Sequence, residues 1–329
     1  MNIMEGDEVK LRVMGIDISN ELTTYAIVDI RGNIIAEDGF VTSDYPNIND
    51  FVTKLTVSMV DLMEANGGFM SVRSVGVSAP SANFLTGCIV NAPNLPWKGV
   101  IPLAAMMRDR LGMAVAVGND AHVAALGEYS YGLAHGMKDF IVVSVGIGLG
   151  SCFFSRGRGH RGFQGFAGEF GHTCLIDHGR KCGCGKEGCV EAYCAAKGIV
   201  TTAEEVMAES NVPSLMRNQE KLSPRIISQL CDEGDELAIE VFRRTGYLLG
   251  IAIANYASVI DPQAIILTGG ISHAGKWLID PLKQSFDEHV FQNIRDNIKI
   301  IVSRLNDHER EVLGASALAW EVQEYSLFK

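Results

Sequence analysis

Three cysteines and a histidine stand close together in the middle of the chain, at a spacing that suits metal binding. Cys182, Cys184 and Cys189 are separated by one and by four residues, and His172 lies ten positions before the first of them. Three thiolates and one imidazole complete a closed tetrahedral zinc site, and glycines between the cysteines let the backbone wrap a small ion. The spacing therefore predicts structural Zn2+. The alternative is three buried thiols that act as small hydrophobes, which the interspersed glycines and lysines disfavour.

Length and composition place this cluster in a globular protein of about two domains. The chain has 329 residues, of which 47% are hydrophobic and 20% are charged, as in ordinary folded proteins. Its net charge of -11 disfavours nucleic acid as a partner, because such a surface repels phosphate backbones. Eight cysteines are too few for a disulfide scaffold, and the first residues do not resemble a secretory signal. Both observations fit a cytoplasmic protein. We also expect no membrane partner, since no uncharged run is long enough to span a bilayer.

Hydrophobic periodicity predicts two similar halves of mixed α/β structure. The first half reads as three strands, a helix and a strand. The same order starts again at Phe140, with an apolar run, a glycine turn and a second apolar run. Each half therefore opens with a hairpin whose turn could face a ligand. The strands of the first half are expected at 13–17, 23–28, from 34 onward and at 72–77, and its helix at 50–64.

The boundary between the halves is expected near Asn119. A helix over Ala121–Glu128 follows it, capped by either Asn119 or Asp120. A helix and a strand precede this point, and the last stretch reads as a helix that could pack back on the first half. The predicted domains are a smaller one, 1–118 with 311–329, and a larger one, 119–310, that carries the zinc loop. The other elements are expected at Leu103–Leu111, Met113–Val117, Ala264–Leu267 and Val312–Gln323.

Two segments of the chain form a specific pattern, GFAGEFGH at Gly165–His172 and CGCGKEGCVE at Cys182–Glu191. They resemble the signature of the ROK family, which comprises repressors, uncharacterised reading frames and sugar kinases. The resemblance implies an actin-like (ribonuclease H-like) kinase fold, in which duplicated β-β-β-α-β-α domains enclose a cleft, and it is closest to the family's glucokinases. Three further segments extend it over nearly the whole chain: APNLPWKG at Ala92–Gly99, GNDAHVAALGE at Gly118–Glu128 and DPQAIILTGG at Asp261–Gly270.

The resemblance also implies which residues bind and activate a sugar. Asp120 matches the catalytic aspartate of the family's Asn-Asp-Ala motif, where a carboxylate accepts the proton of the reacting hydroxyl; the alternative is an ordinary helix cap. Zinc would hold Glu169 and Glu191, which flank the cluster, in fixed positions. The alternative for each glutamate alone is a solvated surface charge. His172 is first a zinc ligand and could contact sugar through its other nitrogen. The sugar-contacting positions correspond to Asn94, Asn119, Glu169, His172 and Glu191.

Two glycine-rich turns hold the ATP phosphates in this family, and both depart from its pattern here. The first turn keeps Asp17, which could organise Mg2+ through water, but Glu21 stands where a hydroxyl normally meets phosphate and would repel it. The second turn keeps its glycines and has Ile147 in place of the hydroxyl; such a turn also serves plain hairpins. The first turn reads Asp17, Ile18, Ser19, Asn20, Glu21, and the second keeps Gly146, Gly148 and Gly150. Gly269 and Gly270 resemble the adenosine-binding turn, or form an ordinary strand-to-helix turn.

Two functions from different classes remain open. The sugar and base positions favour an ATP- and Mg2+-dependent hexose kinase that converts glucose to glucose 6-phosphate. The altered phosphate turns favour a sugar-binding sensor or regulator that has lost efficient phosphotransfer. We do not expect a repressor, because about ten residues precede Leu11, too few for a helix-turn-helix module. The family also implies a homodimer or homotetramer.

Overall fold

Two five-stranded sheets with the same strand order organise residues 11–322, which the computed structural model describes. Each sheet has its strands in the order third, second, first, fourth and fifth, numbered by their sequence within that sheet. In both, the first strand is antiparallel to the second and parallel to the fourth. The duplication that the hydrophobic pattern predicts is therefore confirmed.

Unit 1 comprises the described residues up to His135 and those from His308 onward. Unit 1 contains a main sheet, a second sheet of three short strands, and four helices. Strands and helices are numbered in chain order over the whole protein. The main strands are β1 (Arg12–Ile18), β2 (Leu22–Asp29), β3 (Ile34–Val41), β4 (Val72–Ala79) and β8 (Ala114–Asn119). The small sheet is β5 (Ala82–Asn83), β6 (Cys88–Val90) and β7 (Val100–Ile101), and the helices are α1 (Ile48–Ala65), α2 (Leu103–Leu111), α3 (Asp120–Tyr131) and α10 (Asp307–Glu321).

Helix α1 covers one face of the unit 1 sheet. Asn47 caps it, because its side-chain oxygen accepts a hydrogen bond from the backbone N–H of Asn49 at 2.8 Å. Phe51, Leu55 and Met59 follow at helical spacing and are fully buried, each contributing about 1.5–3 kcal/mol of transfer free energy. Strands β1 and β4 are almost entirely buried, and the β-branched residues that such strands favour make them recognisable in the sequence.

Helix α10 packs on the opposite face. A Cβ at Gly15 of β1 would collide with the carbonyl oxygen of Val312, and one at Gly76 of β4 with that of Ala315. Only glycine therefore lets the helix backbone come this close to the strands. The closing helix does pack on the first half, as predicted, and its expected last residue, Gln323, lies outside the described residues.

The units part at His135/Gly136, whereas the sequence places the boundary at 118/119. Helix α3 belongs to unit 1 because Gly127 lies directly against the backbone of Gly314 in α10. This close helix contact joins residues far apart in sequence, so no local pattern indicates it. The ends of the predicted smaller domain, 1–10 and 323–329, lie outside the described residues.

Unit 2 runs from Gly136 to Asp307 and carries most of its helices on one face of its sheet. The longest of them, α7, packs along α8 and spans 25 residues. Within residues 11–322, no helix combines the length and the apolar run that crossing a membrane requires. The strands are β9 (Phe140–Val145), β10 (Leu149–Ser155), β11 (Arg158–Gly159), β12 (Ala264–Thr268) and β13 (Lys299–Val302). The helices are α4 (Glu191–Cys194), α5 (Ala196–Glu209), α6 (Pro224–Asp232), α7 (Glu236–Ile260), α8 (Lys276–His289) and α9 (Gln292–Arg295).

Candidate functional site

The four predicted metal ligands come together in unit 2. The ligand atoms of His172, Cys182, Cys184 and Cys189 all lie within 4.8 Å of one another. Cys184 Sγ is 3.6 Å from Cys189 Sγ, and Cys182 Sγ is 3.7 Å from His172 Nδ1. A tetrahedron with Zn–S bonds of about 2.3 Å has sulfur atoms about 3.7 Å apart. The spacing and chemistry of this donor set therefore fit zinc.

The loop that carries the three cysteines, residues 173–190, is shaped by its glycines. Cys182 N–H donates to the carbonyl of Lys186 at 2.8 Å and Gly185 N–H donates to that of Cys182 at 3.1 Å, which closes a tight turn that contains Cys184. Gly188 has a φ of 74°, and a Cβ there would collide with the carbonyl oxygen of Ile176. The sequence needs glycine at this point for both reasons.

Burial and the neighbouring thiols raise the pKa of Cys189 to about 12. The charged form of this thiol is costly because Cys182 and Cys184 would place further negative charge beside it. A bound cation removes that cost, since thiolates rather than thiols are the metal ligands. The electrostatics of the cluster agree with its geometry in favouring a metal.

Arg180, which the sequence analysis did not identify, fastens this loop to α5. Its guanidinium forms an ion pair with Glu205 and donates to Thr202 Oγ1 at 3.0 Å and to the carbonyl of Gly198 at 2.9 Å. It also lies over the Tyr193 ring, 4.7 Å from the ring centroid. The only signal in the sequence is a basic residue ahead of the cysteines, which does not separate this role from that of a solvated charge.

The residues predicted to contact sugar in unit 2 surround the metal cluster. His172 lies in a 3-10 turn, with Nδ1 toward the cysteines and Nε2 3.9 Å from Glu169 Oε2. Glu169 is exposed, with 56% of its side chain accessible. Glu191 begins α4, and one of its carboxylate oxygens, Oε1, is 3.7 Å from Cys182 Sγ. The two ring nitrogens of His172 therefore have separate neighbours, which is compatible with the predicted dual role.

The second glycine turn, Gly146–Gly150, joins β9 to β10 beside this loop. Gly146 N–H donates to the carbonyl of Gly148 at 2.9 Å, and Leu149 N–H donates to Glu191 Oε2 at 3.0 Å. Ile147 forms the tip of the turn, with an exposed fraction of 85%. A hydrophobic side chain so solvated contributes little to the packing of unit 2.

Gly269 comes close to the base of the same turn. It follows β12 with a φ of 83°, and a Cβ there would lie 2.5 Å from the carbonyl oxygen of Val145, the last residue of β9. Ser272 closes the turn by donating through Oγ to the carbonyl of Gly269 at 2.7 Å. Unit 2 thus brings together two of the predicted nucleotide-binding segments, with Gly270 exposed beside them.

In unit 1, Asp17 and Asp120 lie where parallel strands end. Strands β1, β4 and β8 are parallel neighbours, so their carboxyl ends meet at one edge of the sheet. Asn119 is the N-cap of α3, and its Oδ1 accepts from Ala121 N–H at 3.0 Å. Asp120 is the first helical residue and is exposed. The cap role therefore falls to Asn119, although Asp120 Oδ1 also accepts from Ala121 N–H, at 2.8 Å.

A third carboxyl group, that of Glu311 in α10, belongs to this edge and was missed by the sequence analysis. Its Oε1 accepts from Arg310 at 3.1 Å, and its Oε2 is buried without a hydrogen bond. The pKa of Glu311 is raised from 4.5 to about 8, chiefly by burial. The negative charges of Asp17 and Asp120 also raise this pKa, whereas the positive charge of Arg310 lowers it. Sequence spacing contains no signal for it, because α10 is far from both aspartates along the chain.

The first phosphate turn is closed by its own serine. Ser19 Oγ donates to the carbonyl of Leu22 at 2.9 Å and lies 3.1 Å from Leu22 N, while Ser19 N–H donates to the same carbonyl at 3.0 Å. Asn20 and Glu21 are exposed at the tip. The hydroxyl that could have met a phosphate is thus engaged within the hairpin itself.

Asn94 lies exposed in the loop between β6 and β7. Lys98 Nζ holds this loop by donating to the carbonyls of Ala92, Pro93 and Leu95 at 3.2, 3.1 and 3.0 Å. The loop is anchored at Trp97, whose Nε1 donates to the carbonyl of Tyr45 at 3.1 Å. Within the motif that contains Asn94, Trp97 and Lys98 therefore stabilise the shape of the loop.

Comparison with known sequences identifies the class of protein. The ROK family model matches residues 13–322. A glucokinase of Halalkalibacterium halodurans is 30% identical to this chain over 96% of it and 97% of its own length. A xylose repressor of Caldicellulosiruptor bescii is 27% identical over 93% of this chain and 77% of its own length. The chain belongs to the ROK family, as the resemblance of its motifs indicated.

A solved structure shows the same fold. The crystal structure of a ROK family glucokinase from Streptomyces griseus in complex with glucose and AMPPNP has a TM-score of 0.78 and 28% identity to this chain, covering 94% of it and all of the other chain. The predicted actin-like fold, with its two duplicated α/β domains, is therefore confirmed.

Proposed function

We propose that this protein phosphorylates a hexose with ATP, with Asp120 as the general base and glucose as the expected substrate. The observation that carries the proposal is the exposed Asp120 carboxylate at the first position of α3, at the carboxyl ends of β1, β4 and β8. Its neighbour Asn119 already caps the helix, so the helix does not depend on Asp120 for that task. The glucokinases similar to this chain, at 30% and 29% identity, support the same assignment.

In this mechanism Asp120 accepts the proton of the attacking sugar hydroxyl as the new O–P bond forms. Hydrogen bonds to the other hydroxyls hold the ring, because amide and carboxylate groups can each serve as partners of a sugar hydroxyl. Their correct placement converts binding into a large gain in effective concentration. We assign these contacts to Asn94 and Asn119 in unit 1 and to Glu169, His172 and Glu191 in unit 2.

Two metals are implied with different tasks. The oxygen donors at the unit 1 sheet edge, Asp17 first among them, suit a hard cation such as Mg2+, which neutralises phosphate charge when it is bound. The thiolates and His172 suit zinc, which would keep Glu169 and Glu191 in place rather than take part in chemistry. We assign the phosphates and adenosine of ATP to Gly146, Gly148, Gly269 and Gly270. Thiolate ligands stay reduced in the cytoplasm, where we infer that the protein works.

The test is ATP-dependent phosphorylation by zinc-loaded protein of a panel comprising glucose, mannose, N-acetylglucosamine, N-acetylmannosamine, allose and fructose. Asp120→Asn keeps the size of the side chain and removes the base. We expect turnover of at least one sugar and a loss of about 10²–10⁴-fold in the variant. Sugar binding by calorimetry without any turnover would overturn the proposal.

A second candidate is a sugar-binding sensor without efficient phosphotransfer. It is favoured by the first turn, where Ser19 hydrogen-bonds within the hairpin and Glu21 is exposed at the tip. A carboxylate at that point repels phosphate. The panel separates the two candidates, because a sensor binds sugar and gives the same negligible turnover in the wild type and in the Asp120→Asn variant.

A further inference from the structure

The carboxylate of Glu191 has two neighbours of different kinds. Its Oε1 is 3.7 Å from Cys182 Sγ in the metal cluster. Its Oε2 accepts a hydrogen bond from Leu149 N–H, at 3.0 Å, in the second glycine turn. One side chain therefore links the metal loop to the turn that we assign to the ATP phosphates.

The turn is fitted closely around this carboxylate. A Cβ at Gly148 would lie 3.0 Å from Glu191 Oε2, tighter than ordinary van der Waals contact, so glycine leaves the room that the carboxylate occupies. The other side of the turn is fastened to the same segment, because Ala196 N–H at the start of α5 donates to the carbonyl of Gly146 at 3.0 Å. The turn and the segment 191–196 thus form one hydrogen-bonded assembly.

The contact has an electrostatic consequence for anion binding. Glycine turns bind phosphate through free backbone N–H groups, and here a carboxylate engages one of those groups. The same negative charge lies beside Gly148, where a Cβ would be 3.0 Å from Glu191 Oε2, and it repels phosphate oxygens. While Glu191 holds Leu149, the turn is a poor phosphate site.

We propose that Glu191 is an autoinhibitory contact on the phosphate turn, which a bound sugar releases by taking the carboxylate as its own hydrogen-bond acceptor. Leu149 N–H then becomes available and the charge turns toward the sugar hydroxyls. ATP binds well only when sugar is already present, which limits hydrolysis of ATP by water. This inference rests on the proposed function, since it uses Glu191 as a sugar contact.

The experiment measures the affinity of the zinc-loaded protein for Mg2+–AMPPNP by calorimetry, with and without saturating glucose. For the wild type we expect glucose to raise the affinity at least about tenfold, within the usual range of coupling between two sites. Glu191→Gln removes the charge at constant size. We expect it to raise the affinity without glucose several-fold and to reduce the effect of glucose to less than about twofold.

Glu187→Gln is the matched control, because it removes the same charge from an exposed position four residues earlier, in the metal loop, and should leave both affinities unchanged. Hydrogen exchange supplies a second readout: glucose should accelerate exchange of the Leu149 amide in the wild type, and Glu191→Ala, which removes the acceptor of its hydrogen bond, should do so without glucose. A purely structural Glu191 would instead give weaker AMPPNP binding in Glu191→Gln.

The inference and the proposed function fail in different ways. Tighter AMPPNP binding by Glu191→Gln supports the autoinhibitory contact even if no sugar is phosphorylated. Unchanged or weaker binding by this variant overturns the inference, even if the wild type proves to be an active kinase.

Discussion

The hairpin turns that open the two units occupy corresponding places in duplicated sheets, yet they are built differently. The turn in unit 1 has no glycine and is closed by Ser19, whose hydroxyl and amide both bond to Leu22. The turn in unit 2 keeps its glycines and is held from outside, by Glu191 and by Ala196. One copy is closed by its own side chain, whereas the other is held by the first residues of α4 and α5, which follow the metal loop.

Carboxylates lie beside both turns, but they are placed differently. The unit 1 turn has Glu21 at its tip, and Asp17 stands at its base, close enough to Glu311 to raise the pKa of that carboxyl. Beside the unit 2 turn the hydrogen-bonded carboxylate is Glu191. Only the unit 2 turn keeps its glycines, so we expect unit 2 to supply most of the backbone contacts to phosphate once Glu191 is displaced.

Removal of the metal should affect one turn and spare the other. We expect the wild type to bind about one zinc ion per chain, with an apparent binding free energy of about 10–16 kcal/mol, as in small zinc domains. Cys189→Ser removes one of the four ligands and should lose this ion. Hydrogen exchange at 146–150 should accelerate strongly, while exchange at 19–22 stays as in the wild type. Metal content by mass spectrometry and exchange rates check both points.

Cys174→Ser is the control for this variant, because Cys174 is an exposed thiol close to the cluster that is not one of its four ligands. It should keep the zinc and the slow exchange. Full zinc retention by Cys189→Ser, or equal acceleration at both turns, would contradict the difference between the two hairpins.

A hydroxyl at the tip of the unit 2 turn should strengthen its hold on ATP. Ile147 is 85% exposed, so replacing it disturbs little packing. We expect Ile147→Thr to lower the KM for ATP by about 10–100-fold, because a hydrogen bond to a charged oxygen contributes about 1.5–3 kcal/mol. Steady-state kinetics at saturating sugar measure the change.

Ile147→Val has nearly the shape of the threonine without its hydroxyl, and it should leave the KM for ATP unchanged. An equal fall in both variants would mean that bulk, rather than hydrogen bonding, limits the turn. No change in either would show that phosphate does not reach this hairpin.

The acidic edge behind the unit 1 turn should make stability depend on pH. The pKa of Glu311 is raised from 4.5 to about 8 by burial and by Asp17 and Asp120, against Arg310. Because the folded state holds this proton more tightly, its stabilising contribution is complete below about pH 4.5 and is lost as pH rises through 8. Glu311→Gln should therefore gain stability relative to wild type between pH 6 and pH 9, by at least about 1 kcal/mol.

Urea unfolding at the two pH values measures this difference. Glu309→Gln, an exposed neighbour in α10, provides the control and should show the same pH dependence as wild type. A wild type whose unfolding free energy does not fall relative to Glu311→Gln over this range would contradict the buried, proton-holding carboxyl.

The sequence predicts best what depends on local pattern. Strands β1 and β4 are rich in β-branched residues, α1 shows helical spacing, and Cys182, Cys184 and Cys189 lie within one short loop. The strand, helix and metal predictions therefore need no distant information. Motif resemblance supplies the family and the fold, and both are confirmed. The roles of Asp120 and the sugar contacts remain predictions.

What the sequence does not reveal rests on contacts between distant segments. The placement of α3 in unit 1 depends on Gly127 meeting Gly314, and the third carboxyl at the sheet edge comes from Glu311 in the last helix. The hydrogen bond from Leu149 to Glu191 joins residues 42 positions apart. None of these pairs produces a pattern in the sequence, because each partner alone is indistinguishable from an ordinary glycine, charged or apolar residue.

The central claim is that phosphotransfer depends on Asp120 despite the altered first turn. The most direct test is a single-turnover reaction with zinc-loaded enzyme in excess over glucose, Mg2+–ATP present and product identified by mass spectrometry. We predict complete conversion to a hexose monophosphate by the wild type and at least about 100-fold slower conversion by Asp120→Asn. Glucose that binds but stays unphosphorylated, or equal rates for the two proteins, would contradict the claim.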